Sequence, residues 1–238
     1  MQRNTVSSTG LHILAMTLMF IDHLGILVFP GNVILRSVGR LAFPIFAFLL
    51  VEGYRYTHNL TAYLLRLLAG AAIAEIPYNL MVSGNISCPY HQNVLLTFVL
   101  GLLLISAVDK LRIQRVLPIL FALFIGYAAG ELCMADYGGT GVLIVLFFYL
   151  FYGHPLMLLL SQIGLNCFLI GGRMLELPLF GQVHFVPIQA FAILALVPIR
   201  MYHGRQGYHS KWFRVFCYAF YPAHMFLLWL FSVSVLNP

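Results

Sequence analysis

The chain has 238 residues, of which 61% are hydrophobic and only 8% charged, and its formal net charge is +6. A soluble domain carries about 25% charged residues, so this composition excludes an ordinary soluble protein and points to a polytopic membrane protein. The basic residues are not interleaved with aromatics on a polar face, which reads the positive charge as cytoplasmic loops and excludes nucleic acid as a partner.

The opening segment "MQRNTVSSTG" is short and polar, and the apolar run from Leu11 leads into "FPGN" and a second apolar run. A cleaved signal peptide would need a small-residue cleavage site there, so this run is read as a retained first span. A helix of roughly 20 residues crosses the hydrocarbon core. On that rule the chain holds about nine candidate spans: 10–29, 34–54, 60–82, 92–108, 115–132, 139–153, 155–170, 186–202 and 214–236. The sixth and seventh are short and separated only by "GHP"; a broken or re-entrant helix buried in protein is the other reading of that pair. No linker, low-complexity tract or internal repeat interrupts the chain. The expected fold class is all-α, a polytopic transmembrane helix bundle forming a single integral membrane domain over 1–238.

Lysine and arginine placement sets the orientation. With a cytoplasmic N-terminus, Arg3, Arg55, Lys110, Arg112, Arg115, Arg200, Arg205, Lys211 and Arg214 fall inside, and Arg173 alone falls in an external loop; Arg36, Arg40 and Arg66 lie in or near spans. The cysteines Cys88, Cys133, Cys167 and Cys217 lack paired metal spacing, so no metal is expected.

Charges inside a span cost about 2.5–3.5 kcal/mol each at the helix centre, yet Asp22, Arg40, Glu52, Arg66 and Glu75 lie within spans. Singly, each is read equally well as a structural ion pair. Their depth separates them. At 1.5 Å per residue, His23 lies roughly 20 Å into the first span, toward the outer side. Arg36 and Arg40 enter from outside, Glu75 and Asn79 end the third span, and Gln92 and Asn93 open the fourth. Asp136 and Tyr137 fall in an outer loop and Gln189 starts the eighth span, so all of these lie in one external slab, whereas Glu52 lies near the cytoplasmic end of its span.

Facing narrows the set, because residues three or four apart share a helix face. Arg36 and Arg40 share one, as do Glu75 and Asn79, and Tyr221 and His224. Asp22 and His23 are adjacent, about 100° apart around the helix. Asp22 is therefore expected to pair with an arginine such as Arg40, and a basic His23 to find its partner on another helix, with Glu75 or Asp136 as candidates. Pro44, Pro77, Pro198 and Pro222 lie in spans, where proline frees a carbonyl and can kink the helix.

The segments "LMFIDHLGILVFP", "GRLAFPIFAFLLVEGYRYTHN", "YLLRLL", "AEIPYNL", "HQNVLLTFVLGLL", "ADYGGTGVL" and "FYPAHMFLLWL" occur in the order seen in the TraX family, which the chain resembles from about Leu11 to Trp229. That family is named for the acetylase that modifies the N-terminus of F-type pilin. It looks distantly similar to the membrane acyltransferases that use cytoplasmic acyl-CoA, in which a histidine in an early span is taken as catalytic. The resemblance implies a bacterial cytoplasmic (inner) membrane protein, acetyl-CoA as donor substrate, and His23 as the catalytic residue with Asp22 in support. Arg40, Glu52, Glu75, Asn79, Gln92, Asn93, Asp136, Tyr137, Tyr221 and His224 are the other residues of the family pattern. Pilin itself is not carried over as the acceptor.

The expected chemistry follows. An acyl-CoA thioester is already activated, so an amine acceptor needs alignment and loss of a proton, and a neutral imidazole suits that proton transfer. Arg40 or Asn79 could stabilise the oxyanion. Arg200, Arg205, Lys211 and Arg214 offer a landing surface for the CoA phosphates, although positive-inside topology explains them equally. Arg36, Gln92, Asn93, Asp136, Tyr137, Gln189 and Tyr221 are the candidate acceptor-side residues, and Glu75 and His224 the candidate helpers of His23. His23 acts as base for direct attack or is itself acylated. The acceptor is the N-terminal amine of an exported peptide or lipoprotein, a sugar hydroxyl or a small molecule, and membrane lipid is a further expected partner. The competing readings are a proton-coupled carrier, which also uses intramembrane Asp, Glu and His but is expected to show duplicated halves, and a non-catalytic assembly subunit.

Overall fold

The structure, a computed structural model, describes residues 6–111, 116–169, 174–179, 182–208 and 210–236. Arg3, Arg112, Arg115 and Arg173, used above for orientation, lie outside the described residues.

The fold is helical, and polar side chains start its helices. Ser7 caps α1 (Ser8–Leu27), Asn32 caps α2 (Val33–Gly39), Asn59 caps α4 (Leu60–Ser83), Asn93 caps α5 (Val94–Lys110) and Ser210 caps α10 (Lys211–Phe231); in each the side-chain oxygen accepts a first-turn amide. The remaining helices are α3 (Ala42–Tyr56), α6 (Val116–Leu132), α7 (Gly138–Leu150), α8 (Pro155–Gly164) and α9 (Leu196–Arg200). A π turn, Leu165–Leu169, continues α8, and an eight-residue 3-10 helix, Ile188–Ala195, precedes α9.

Four helical runs are long and apolar enough to cross a membrane: Ser8–Leu27, Val33–Tyr56, Leu60–Ser83 and Lys211–Val235. The second, expected as one span, breaks into α2 and α3 at Arg40 and Leu41. Pro44 accounts for the break. It occupies the first turn of α3, where a missing amide is tolerated, and cannot bond back to the carbonyl of Arg40. Pro77 and Pro222, by contrast, lie inside continuous helices.

One element was not expected. Met174–Leu179 (β1) and Gln182–Pro187 (β2) form an antiparallel hairpin in register from Met174↔Pro187 to Leu179↔Gln182. Their sequences, "MLELPL" and "QVHFVP", hold short apolar alternation that suits a strand and is too brief for a span.

The chain forms two compact units. The first comprises Met1–Leu49 with Leu159–Pro238, and the second Leu50–Leu158. In the first, α1 packs against both α2 and α10, and α2 packs against the 3-10 helix. In the second, α7 packs on α5 and α6, and α4 on α5. The helix α7 is buried along nearly its whole length, from Gly139 to Leu146 and at Phe148. Its 13 residues reach about 20 Å, and a short helix that is apolar all round belongs inside protein. Glycines let α6 and α7 meet backbone to backbone: a Cβ on Gly139 would lie 2.3 Å from the Tyr127 carbonyl, and one on Gly130 2.5 Å from that of Gly138.

The core is apolar, but it also encloses polar side chains, while large apolar ones face outward. Glu52, Asn79, Asn93, Thr97, Gln162, Asn166, Gln189 and His224 are buried, while Ile73 on α4, Leu117 and Phe124 on α6, and Trp212 and Leu227 on α10 are exposed. Apolar side chains turned outward around buried polar ones suit lipid as the surrounding solvent.

Candidate functional site

The first unit builds its site around α1. Asp22 and His23 diverge around the helix, so the two neighbours serve different partners. Asp22 faces α2. Its Oδ2 accepts from Arg36 Nη1 at 2.6 Å and from Arg40 Nη2 at 2.8 Å, and its Oδ1 accepts from the same Arg40 nitrogen at 3.0 Å. The two arginines stand one helical turn apart and close on one carboxylate, which is 13% exposed. Charge-assisted bonds of this kind are the strong ones. Gly39 makes the approach possible, since a Cβ there would fall 2.3 Å from both the Asp22 Cβ and its Oδ1.

His23 faces α10. Its Nδ1 lies 2.7 Å from Nε2 of His224, 201 positions away in the chain, with the rings nearly parallel at 5° and their centroids 4.9 Å apart. The hydrogen bonds determine which nitrogen carries which proton. Nδ1 of His224 lies 2.6 Å from the Phe220 carbonyl, and a carbonyl can only accept, so that nitrogen carries a hydrogen. In a neutral His224, Nε2 is then an acceptor, and the hydrogen between the rings belongs to Nδ1 of His23. The lone pair left at the end of the chain is Nε2 of His23. Aromatic rings hold the pair in place: Phe220 stacks on His224 with centroids 4.7 Å apart, Phe20 meets it edge-on, and Tyr221 lies tilted beside it. His23 therefore takes its partner from another helix, but that partner is His224; Glu75 and Asp136 make their bonds inside the second unit.

In the second unit, Asn93 Nδ2 donates to Glu75 Oε2 at 2.5 Å and to the Ala71 carbonyl at 2.9 Å, while its Oδ1 caps α5. Tyr78 donates its hydroxyl to Asp136 Oδ1 at 3.0 Å, and His91 Nδ1 lies 2.9 Å from the same hydroxyl. Because the Tyr78 hydrogen goes to the carboxylate, His91 is the donor in that second bond. Asn79 uses its amide donor on the Ile86 carbonyl at 3.2 Å, and its Oδ1 is buried without a partner among the described residues. Gln92 forms a bridge with Ala135 at the turn that carries Asp136, and Tyr137 stands before the first residue of α7. Glu52 accepts from the Tyr152 hydroxyl, over whose ring the Arg55 guanidinium lies 4.0 Å from the centroid.

The basic residues Arg200, Arg205 and Lys211 are exposed around the loop between α9 and α10. That loop is tied to the start of α1. Ser8 donates its backbone amide to the Arg205 carbonyl at 2.8 Å, and Thr9 donates its hydroxyl to the Tyr208 carbonyl at 2.8 Å. Gln189 lies at the start of the 3-10 helix and bonds to Asn166. Reading the sequence did not single out His91, Tyr78, Gln162 or Asn166. His91 and Tyr78 fell inside family blocks, and Gln162 and Asn166 carried a usable signal, two amides four apart in an apolar run.

The profile of the family described as "TraX protein" matches residues 7–232 of the chain. A curated relative from Dichelobacter nodosus, named probable fimbrial assembly protein FimC, serogroup H1, is 31% identical over 248 residues, covering 96% of this chain and 97% of its own length. No solved structure matches.

Proposed function

The chain belongs to the TraX family, and on that premise we propose that it is a membrane-embedded acyltransferase that moves an acetyl group from cytoplasmic acetyl-CoA to an amine or hydroxyl acceptor on the extracytoplasmic side. The reading includes a multi-pass protein of the bacterial inner membrane with a cytoplasmic N-terminus and about nine crossings. The observation that carries it is the run of hydrogen bonds from the Phe220 carbonyl through His224 to His23, which leaves His23 Nε2 as a proton acceptor. The relative's name, a fimbrial assembly protein, favours an exported protein as the acceptor.

In this mechanism the acceptor nitrogen attacks the thioester carbonyl carbon. The C–N bond forms, the C–S bond breaks, and the amine proton passes to His23 Nε2. The imidazolium is relieved as the Nδ1 proton shifts toward His224 Nε2, and the proton returns to the departing thiolate, giving an amide and free CoA. Asp22 does not touch the imidazole in this scheme. It holds Arg36 and Arg40 together, and the two guanidiniums offer electrostatic stabilisation to the developing oxyanion. The exposed Arg200, Arg205 and Lys211 would receive the CoA phosphates.

The test is CoA release from acetyl-CoA by purified protein with an amine acceptor. Wild type is expected to turn over and His23→Ala to lose at least about a hundredfold of the rate per folded molecule. Equal rates in the two proteins would defeat the reading. Incubation with acyl-labelled donor and no acceptor separates the two routes: label retained on His23 indicates a covalent intermediate, and full turnover without retained label indicates direct attack.

A further inference from the structure

Inside the first unit, three amides form a chain that the mechanism above does not use. Gln162 on α8, Asn166 on the π turn and Gln189 on the 3-10 helix are 1%, 0% and 5% exposed. Asn166 Nδ2 donates to the Gln162 carbonyl at 2.9 Å and to Gln162 Oε1 at 3.1 Å, and Gln189 Nε2 donates to Asn166 Oδ1 at 2.9 Å. The backbone carbonyl sets the direction of the whole chain. It can only accept, so Asn166 turns its NH2 toward Gln162 and its oxygen toward Gln189. Gln162 must then present its oxygen to Asn166, and its own NH2 is left over. That nitrogen is buried and has no acceptor among the described residues.

The local backbone is irregular on both sides of the chain. A π turn carries Asn166 and a 3-10 helix carries Gln189. In 3-10 geometry residues three apart eclipse, which stacks Gln189 with the buried Ala192 and Ala195 on one face. That helix packs against α2, which carries Arg36. Turns of these two kinds recur at functional sites, and a buried donor left unsatisfied is destabilising.

The chemistry of the missing partner is constrained. It must accept a hydrogen bond, reach an apolar interior and be neutral, because the three amides supply no countercharge. We infer that the Gln189–Asn166–Gln162 chain is a carbonyl-binding site whose free Gln162 Nε2–H takes a neutral carbonyl oxygen of a bound ligand. Two sources share that chemistry: the amides of the pantetheine arm of an acyl-CoA donor, which rests on the acyl-transfer reading, and the ester carbonyl of a membrane lipid.

Gln162→Met tests this in the full-length protein. Methionine keeps the volume and the backbone carbonyl that holds Asn166, and removes the free donor together with the Oε1 that takes the weaker Asn166 bond, so the melting temperature in detergent is expected to change little. Gln162→Leu serves if the methionine variant does not fold. Binding is measured with acetyl-pantetheine, acetyl-CoA and 3′,5′-ADP, and co-purified phospholipid is counted by native mass spectrometry. If the arm is the ligand, the variant binds both acetyl compounds about tenfold more weakly and 3′,5′-ADP unchanged. If a lipid is the ligand, the variant loses a retained phospholipid instead. Wild type that binds no acetyl-CoA and releases no CoA removes the acyl-transfer reading and the first source, and the lipid count then decides. Unchanged affinities together with unchanged lipid retention overturn the inference.

Discussion

The two units partner their carboxylates in different ways. In the first, Asp22 is closed between Arg36 and Arg40. In the second, carboxylates accept from neutral donors: Glu75 from Asn93, Asp136 from Tyr78, Asp109 from both Tyr54 and Tyr149 at 2.8 Å, and Glu131 from the Gly139 amide at 2.9 Å. Neutral donors satisfy the oxygen lone pairs and tie helices together. Two guanidiniums on one carboxylate stand in the same unit as the His23–His224 pair. On the proposed reading, reactivity belongs to the first unit and helix positioning to the second.

The sharpest way to break it is His23→Ala. Removal of the base is expected to lower turnover per folded molecule about 10²–10⁴-fold, far beyond what the lost bond to His224 costs in stability. His224→Phe, which removes the acceptor for His23 Nδ1–H, is expected to give a smaller loss in the same assay. Asp22→Ala takes from Arg36 and Arg40 the carboxylate that they share. A stability loss of about 3–5 kcal/mol is expected, measured by denaturant unfolding in detergent, and Asp22→Asn should recover little of it because the charge is still gone. Tyr78→Phe probes the second unit. It breaks the bonds to Asp136 and His91 and should cost about 1–3 kcal/mol, with turnover per folded molecule kept. If Tyr78→Phe instead abolished turnover in a protein of unchanged stability, the second unit would hold chemistry too and the contrast would fail. The smallest expected effect is Asn59→Ala, about 1 kcal/mol for the lost cap of α4, again with turnover retained.

The sequence by itself determined that this is a helical membrane protein of the TraX family, and which faces of its helices matter. Each of the nine expected spans is largely helical in the structure, because apolar length and a Ser or Asn at the helix start act over a few residues. The divergence of Asp22 and His23 was legible for the same reason: a turn of 100° per residue is local geometry. Only the tertiary structure decided the partners. His23 meets His224 across 201 positions, and Tyr78 meets Asp136 across 58. It also sorted the polar residues expected in one slab into two clusters, one in each unit, and closed the amide chain from Gln162 to Gln189. Helical periodicity says which way a side chain points. What stands opposite it is set by packing between segments far apart in the chain, where a buried polar group settles against the partner that satisfies it.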